Sequence, residues 1–153
     1  MRCALAMCAL IIAAGLGVAQ QARPDVIPPR YGIDADLVTY PQATPKDDLR
    51  SVLKAIDARR IDYMLAHLAD PEFVDQRVKD LGGRFENLVR VTTENLADDP
   101  ESVRDLRRYL SEGDWQEGGD AASVGHKDIK GRQAFFRKIG TRWFLENRRK
   151  PAK

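Results

Sequence analysis

The chain has 153 residues, a formal net charge of +2, and acidic and basic side chains in nearly equal number. This length suffices for one domain with a packed core, and the balanced charge argues against nucleic acid as a partner, which requires a strongly basic face. Both cysteines, Cys3 and Cys8, lie near the N-terminus, so the remaining chain can form neither a disulfide nor a cysteine-based metal site.

The N-terminus has the pattern of a signal peptide. Arg2 supplies a positive start, residues 3–18 carry no charge, and small residues precede Gln20, as a signal peptidase requires. The sequence therefore predicts removal of residues 1–19 by cleavage after Ala19, and export to the periplasm or the extracellular space. An uncleaved membrane anchor is the alternative, but a membrane span usually needs about 20 apolar residues. After cleavage no stable membrane span is expected.

Residues 20–44 are predicted to form a proline-rich tether in front of a single domain at residues 45–148. Prolines interrupt regular helix throughout the tether, at Pro24, Pro28, Pro29 and Pro41. The tether has too many apolar residues for a fully flexible linker, so we expect the part from Tyr31 to Tyr40 to lie against the domain. Residues 149–153 are predicted to be a solvated basic tail.

Three proline dipeptides predict helix starts, because an Asp or Thr side chain caps the first turn and proline suits the first helical position. They are Thr44-Pro45, Asp70-Pro71 and Asp99-Pro100. The apolar stripe after Thr44 changes phase near residues 57–60, where we expect a bend. Gly113 is the predicted end of the last helix.

The apolar stripe of residues 71–97 keeps its phase across Gly82-Gly83. This continuity favours one long helix with a weak point, since each glycine costs about 1 kcal/mol relative to alanine. Two helices that are broken at the glycines are the alternative.

After Gly113 the pattern changes from helical spacing to short strand-like runs with turns that contain glycine. Such runs predict an antiparallel meander, with strands at Trp115–Glu117, Ala121–Lys127, Arg132–Lys138 and Thr141–Asn147. The predicted class is therefore α+β, with three to four N-terminal helices packed on a C-terminal antiparallel sheet of three to four strands.

Two stretches carry a family resemblance: the helical start DDLRSVLKAIDARRIDYMLAHLAD and the ending RQAFFRKIGTRWFLEN. Over residues 45–147 the chain resembles the nuclear transport factor two-like superfamily, a cone-shaped α+β fold also called SnoaL-like. It is also similar to uncharacterised exported bacterial proteins of the planctomycete type. That superfamily usually has a strand hairpin after the first helices, whereas residues 71–97 have a helical pattern here. The resemblance therefore implies a reduced sheet and an incomplete cone.

Tyr63, His67 and Asp70 are the candidate catalytic residues, because spacings of four and three place them on one helix flank. Enzymes of the resembled superfamily place Tyr, Asp and His in the cavity of the cone. The resemblance thus implies an acid–base isomerase or dehydratase that uses His67 with Tyr63 or Asp70. We favour a histidine at the boundary of the apolar stripe, because no further polar residue points clearly into a cavity.

Other catalytic and metal motifs are incomplete. Ser51 and Lys54 fit an S-x-x-K pattern, but both are predicted to face solvent on a helix, and the partner motifs of serine acyl-enzymes are missing. His67 and His126 are far apart in sequence, so no metal site is predicted. The chain has no phosphate loop and no dinucleotide fingerprint, so no cofactor is predicted.

Five aromatic residues are candidate binding residues: Trp115, Phe135, Phe136, Trp143 and Phe144. Adjacent strand residues point to opposite faces of a sheet, so one ring of each adjacent pair packs on the helices. Exposed rings on the other face would form a binding surface or a dimer face. We therefore predict an exported, non-enzymatic domain that binds an unknown protein or a small apolar ligand through its sheet, with homodimer formation through the sheet as an option.

Overall fold

A computed structural model describes residues 27–147 of the chain. The predicted signal peptide, the first residues of the predicted tether and the predicted basic tail lie outside the described residues. Helices come first and strands last, which confirms the predicted α+β class. Five α-helices and one π-helix form the helical half: α1 (Pro45–Asp57), α2 (Ile61–Tyr63), the π-helix (Met64–Leu68), α3 (Pro71–Asp80), α4 (Phe85–Asp98) and α5 (Pro100–Glu112).

The C-terminal half is one antiparallel sheet of four strands in the order β1-β2-β3-β4, so the predicted meander is confirmed. The strands are β1 (Asp114–Gly118), β2 (Ala121–His126), β3 (Ile129–Ile139) and β4 (Arg142–Glu146). The third strand begins earlier than predicted, because the turn before it contains only residues 127 and 128. No helix within residues 27–147 is long and apolar enough to cross a membrane.

All three predicted helix starts are confirmed. The side chains of Thr44, Asp70 and Asp99 each accept a hydrogen bond from a backbone N–H of the first helical turn, and a proline follows each cap. These caps satisfy N–H groups that have no partner within the helix. The predicted end at Gly113 is also confirmed, since α5 ends at Glu112.

The preferred prediction of one continuous helix over residues 71–97 is wrong, and the alternative of two helices is correct. Helix α3 ends at Asp80 and α4 begins at Phe85. Between them Gly82 and Gly83 have φ angles of 84° and 76°, a left-handed conformation that ends a right-handed helix. The stripe keeps its phase because Val78 and Phe85 both face the interior. This break raises the helix count above the predicted three to four.

The helices and the sheet bury two groups of side chains. The helical cluster lies among α1, α2, the π-helix, α3 and α4, and includes Val52, Tyr63, Leu65, Leu68 and Leu88. The sheet cluster lies between α1, α5 and one face of the sheet, and includes Leu49, Leu53, Tyr109, Val124, Phe136 and Trp143. Helix α1 contributes to both clusters.

Residues 27–44, which we call the strap, run across the helices. Arg30 and Tyr31 both bind the Asp75 carboxylate of α3, at 2.6 and 2.5 Å. The Tyr31 ring also stacks on Phe85, with ring centroids 4.1 Å apart, and Tyr40 is buried in the helical cluster. The prediction that Tyr31 to Tyr40 lie against the domain is therefore confirmed.

The strap explains why one prediction about α1 is wrong. Ser51 does not face solvent: it is 2% exposed, and its hydroxyl donates to the Pro41 carbonyl at 2.7 Å. Lys54 is exposed, but its ammonium group donates to the Thr39 carbonyl at 3.0 Å. The S-x-x-K pair therefore holds the strap on a second face of α1 that the apolar stripe alone does not mark.

The outer edge of β4 is hydrogen-bonded to the helical half. The Trp143 N–H donates to the Gln42 carbonyl at 3.0 Å, and the Gln42 side-chain amide donates to the Trp143 carbonyl at 2.7 Å. The Asp70 N–H donates to the Leu145 carbonyl at 2.9 Å, and the Asp48 carboxyl accepts the Leu145 N–H. Buried backbone groups need such partners, so these contacts fix β4 against the helices.

Candidate functional site

A cleft of about 1330 Å³ lies between the helices and the end of the sheet where β2 and β4 finish and β3 begins. Apolar side chains form about half of its wall, among them Met64, Leu65, Leu88, Leu106, Phe135 and Leu145, and polar and charged side chains form the rest. Ligand sites usually have volumes of about 300–1,000 Å³, with apolar walls and few polar groups. This cleft is therefore large enough for a bulky small molecule.

Two helices supply one side of the cleft. Leu88, Thr92 and Leu96 line it from α4, and their spacing of four places them in one row along the helix. Leu106 and Tyr109 line it from α5, where a spacing of three gives the same result. The apolar stripe over residues 71–97 marks the row on α4 as a buried face, but it does not show that this row flanks a cleft rather than a filled core.

The arginines at the cleft are paired with carboxylates. Arg132 Nη1 lies 3.1 Å from Asp105 Oδ2, and Arg77 Nη1 lies 3.6 Å from Asp80 Oδ2. Both pairs are partly exposed, so they contribute little to stability. The pairs matter more for ligand recognition, because neither guanidinium group faces the cleft as an isolated positive charge.

His126 also lines the cleft, and both of its ring nitrogens have neighbours. Nδ1 accepts a hydrogen bond from the Asp128 N–H at 3.1 Å, which places the proton of the neutral ring on Nε2. Nε2 lies 3.4 Å from a carboxylate oxygen of Glu112. These contacts hold the imidazole in place at the cleft.

Tyr109 combines burial with an unused hydrogen-bonding group. The residue is 2% exposed and lines the cleft, but its hydroxyl has no hydrogen-bond partner within the described part of the chain. Burial raises the pKa of Tyr109, and nearby Asp105 raises it further, whereas Arg132 lowers it. The hydroxyl therefore keeps its proton at neutral pH and is a donor.

The five predicted binding residues do not form an exposed aromatic strip. Strand pairing places Trp115, Phe136 and Trp143 on the face that packs on the helices, and Phe135 and Phe144 on the opposite face. Phe144 is only 3% exposed and has the Arg142 guanidinium 4.9 Å from its ring centroid. The prediction of an exposed aromatic strip is therefore wrong, because Phe144 is buried and Phe135 is partly buried. Phe135 is partly buried and lines the cleft.

The predicted trio of Tyr63, His67 and Asp70 does not share one helix flank, because the helical segment ends at Leu68 and Asp70 caps α3. The three side chains bind three separate partners. The Tyr63 hydroxyl donates to the Asp36 carbonyl at 3.2 Å and accepts the Asp36 N–H at 2.9 Å. Asp70 caps α3 and binds Arg137 at 2.8 Å. The hydrogen bonds of the described residues do not join His67 to either of the other two.

His67 is buried rather than placed at the boundary of the helix, because the strap covers it. It is 1% exposed, and its Nε2 donates to the Ile33 carbonyl at 2.8 Å. Burial lowers the pKa of His67, and the positive charge of Arg142 lowers it further, although the contact with Ile33 opposes the shift. The imidazole is therefore neutral near pH 7, and it is not among the residues that line the cleft.

A second polar group of residues was not predicted from the sequence. We call it the polar junction: Gln42, Asp48, His67 and Arg142. The Gln42 amide donates to the Asp48 carboxyl at 3.3 Å and to the His67 carbonyl at 3.0 Å. Asp48 is 0% exposed, and burial raises its pKa well above the usual range. In sequence, Asp48 looks like an ordinary acidic residue in a first helical turn, so no local signal marks it.

Among residues 27–147, no cluster of three or more His, Cys, Asp or Glu side chains is arranged to hold a metal ion. No protein-family model matches the chain, and comparison with curated proteins and with solved structures gives no significant match. The protein is therefore described by its α+β architecture and its cleft, without assignment to a family.

Proposed function

We propose that this protein binds a small apolar ligand in the cleft between α4, α5 and the sheet. The observation that carries the proposal is the cleft itself, about 1330 Å³ in volume, with leucine, methionine and phenylalanine side chains in its wall. Burying a ligand against such a wall gains roughly 25 cal/mol for each Å² of apolar surface removed from water. Of the five aromatic residues predicted to bind a ligand, Phe135 is the one that lines this cleft.

The neutral apolar dye Nile red tests this proposal, because its fluorescence rises when it leaves water. Thr92 lines the cleft, so Thr92→Trp should fill part of it and weaken dye binding by about tenfold or more. Thr93, the next residue of α4, is exposed and does not line the cleft. Thr93→Trp is therefore the matched control and should bind the dye like the unmodified protein.

Fluorescence titration of the three proteins at equal concentration measures the dissociation constants. Saturable binding that only Thr92→Trp weakens supports the cleft as the site. Absence of saturable binding to the unmodified protein, or equal weakening by both tryptophans, would overturn the proposal.

We also propose that the protein acts after export, since residues 1–19 have the pattern of a signal peptide. The mass of the chain recovered outside the cytoplasm tests this, because cleavage after Ala19 defines a single expected mass. Recovery of the uncleaved chain in the membrane fraction would instead support the alternative of an anchor.

A distant relationship to the nuclear transport factor two-like superfamily is a further proposal. Helices that pack on an antiparallel sheet and flank a cleft support it, and the lack of a strand hairpin between α2 and α5 is a departure. We do not propose the acid–base enzyme, because His67 lies away from the cleft and is bound to the strap. Binding of a protein partner or a second copy through the sheet has no specific support, since the aromatic rings are covered.

A further inference from the structure

The residues that line the cleft include a buried polar group whose bonding is incomplete, the hydroxyl of Tyr109. Its ring belongs to the sheet cluster, so packing fixes its position. The hydroxyl has no partner among residues 27–147, whereas the large majority of buried polar atoms in proteins have one. The hydroxyl is enclosed by its neighbours, but Tyr109 is one of the residues that line the cleft, so a ligand that enters deeply enough to reach the hydroxyl can supply the missing partner.

The charges around Tyr109 restrict what that partner can be. Arg132 and Arg77 are already paired with Asp105 and Asp80, so the cleft lacks an isolated cation that would recognise a carboxylate or a phosphate. Three more acidic residues, Asp98, Asp99 and Glu146, also line it and would repel an anion. A neutral acceptor oxygen avoids this repulsion and can still accept a hydrogen bond from the phenol.

We propose that the ligand is a neutral, largely apolar molecule with a carbonyl or ether oxygen that accepts a hydrogen bond from Tyr109. The inference rests on the proposed function, and it adds the chemical class of the ligand. In this arrangement the apolar walls supply most of the affinity, and the Tyr109 hydroxyl selects molecules that carry an oxygen at the right position.

Two probes of similar size separate the contribution of the oxygen from that of the apolar surface. They are 2-acetylnaphthalene, which carries a carbonyl, and 2-ethylnaphthalene, which does not. Competition with Nile red gives the affinity of each probe for the unmodified protein and for Tyr109→Phe. We expect Tyr109→Phe to weaken binding of the ketone about fivefold to tenfold, and to leave binding of the hydrocarbon unchanged.

The matched control is Tyr40→Phe, which removes a tyrosine hydroxyl outside the cleft. Tyr40 is buried in the helical cluster and does not line the cleft, so Tyr40→Phe should change neither affinity. The melting temperature of Tyr109→Phe without ligand is a second readout. It should not fall, because the variant removes a hydroxyl that bonds to nothing within the described chain, whereas a fall of several degrees would reveal an internal partner and overturn the inference.

The outcomes distinguish this inference from the proposed function. If both probes bind and Tyr109→Phe affects them equally, the inference fails and the cleft remains a ligand site. If neither the probes nor Nile red binds the unmodified protein, the proposed function fails and the inference fails with it.

Discussion

The helical cluster and the sheet cluster share α1, but they bury different kinds of side chain. The sheet cluster is apolar apart from the polar atoms of Tyr109 and Trp143, and its strand residues alternate with a period of two. The helical cluster borders the polar junction, where Asp48 and His67 are buried. The difference indicates that packing holds the sheet side, whereas hydrogen bonds between distant residues hold the strap side.

The largest expected effect is on the sheet cluster. Trp143→Ala should lower the free energy of unfolding by about 3–5 kcal/mol, because it leaves a large cavity in the packed interior. Thermal unfolding followed by far-UV circular dichroism and by the fluorescence of Trp115 measures the loss. Since α1 belongs to both clusters, both signals should report one transition.

Ile139→Ala is the control for Trp143→Ala, because Ile139 also lies near the turn between β3 and β4 but is exposed. It should change stability by no more than about 0.5 kcal/mol. A small loss for Trp143→Ala would contradict its place in the core. Two separate transitions in that variant would show that the clusters unfold independently.

The next effect is at the joint between α5 and β1. A Cβ atom at Gly113 would lie 2.4 Å from the Tyr109 carbonyl oxygen and 2.4 Å from a Val124 methyl group. Gly113→Ala should therefore cost about 1–3 kcal/mol through overpacking of the sheet cluster. At Gly118 no atom lies within 4 Å of such a Cβ, so Gly118→Ala should be nearly neutral. Equal melting temperatures for the two variants would contradict the close approach.

The smallest effect concerns the polar junction and depends on pH. Burial raises the folded-state pKa of Asp48, so its contribution to stability is present below the unfolded value and is lost as the pH rises through the folded value. Asn cannot ionise. The melting temperature of Asp48→Asn relative to the unmodified protein should therefore increase as the pH rises above the unfolded-state pKa of Asp, which is about 4.

Asp47→Asn is the matched control, because Asp47 is the preceding residue of α1 but is partly exposed. Its effect on the melting temperature is the reference for removing one acidic group from the first turn of α1 without removing a buried carboxyl. The same pH dependence for Asp48→Asn as for Asp47→Asn would contradict a buried carboxyl whose ionisation opposes folding.

Local signals in the sequence predicted much of the fold. The caps at Thr44, Asp70 and Asp99 act within one helical turn, so they can be recognised without knowledge of the tertiary structure. The strand pattern after Gly113 is equally local. The glycine pair at Gly82 was ambiguous, because two helices that face the same core keep the stripe in phase.

The strap and the cleft could not be predicted in the same way. Ser51 and His67 are buried because Pro41 and Ile33 lie over them, and periodicity within a helix carries no information about a segment that covers it. The cleft is formed by parts of several helices and strands. Tyr109 follows Leu106 by three residues, which marks a shared face, but nothing local shows that this face borders open space.

The edge contacts of β4 also limit how copies of the chain can associate. The backbone groups of Trp143 and Leu145 that point away from β3 are bonded to Gln42, Asp48 and Asp70, whereas β1 has no neighbouring strand on its outer side within the described sheet. Growth of a fibril by strand addition requires two open edges per molecule. A protein with one closed edge can pair through the other, but the pair cannot propagate.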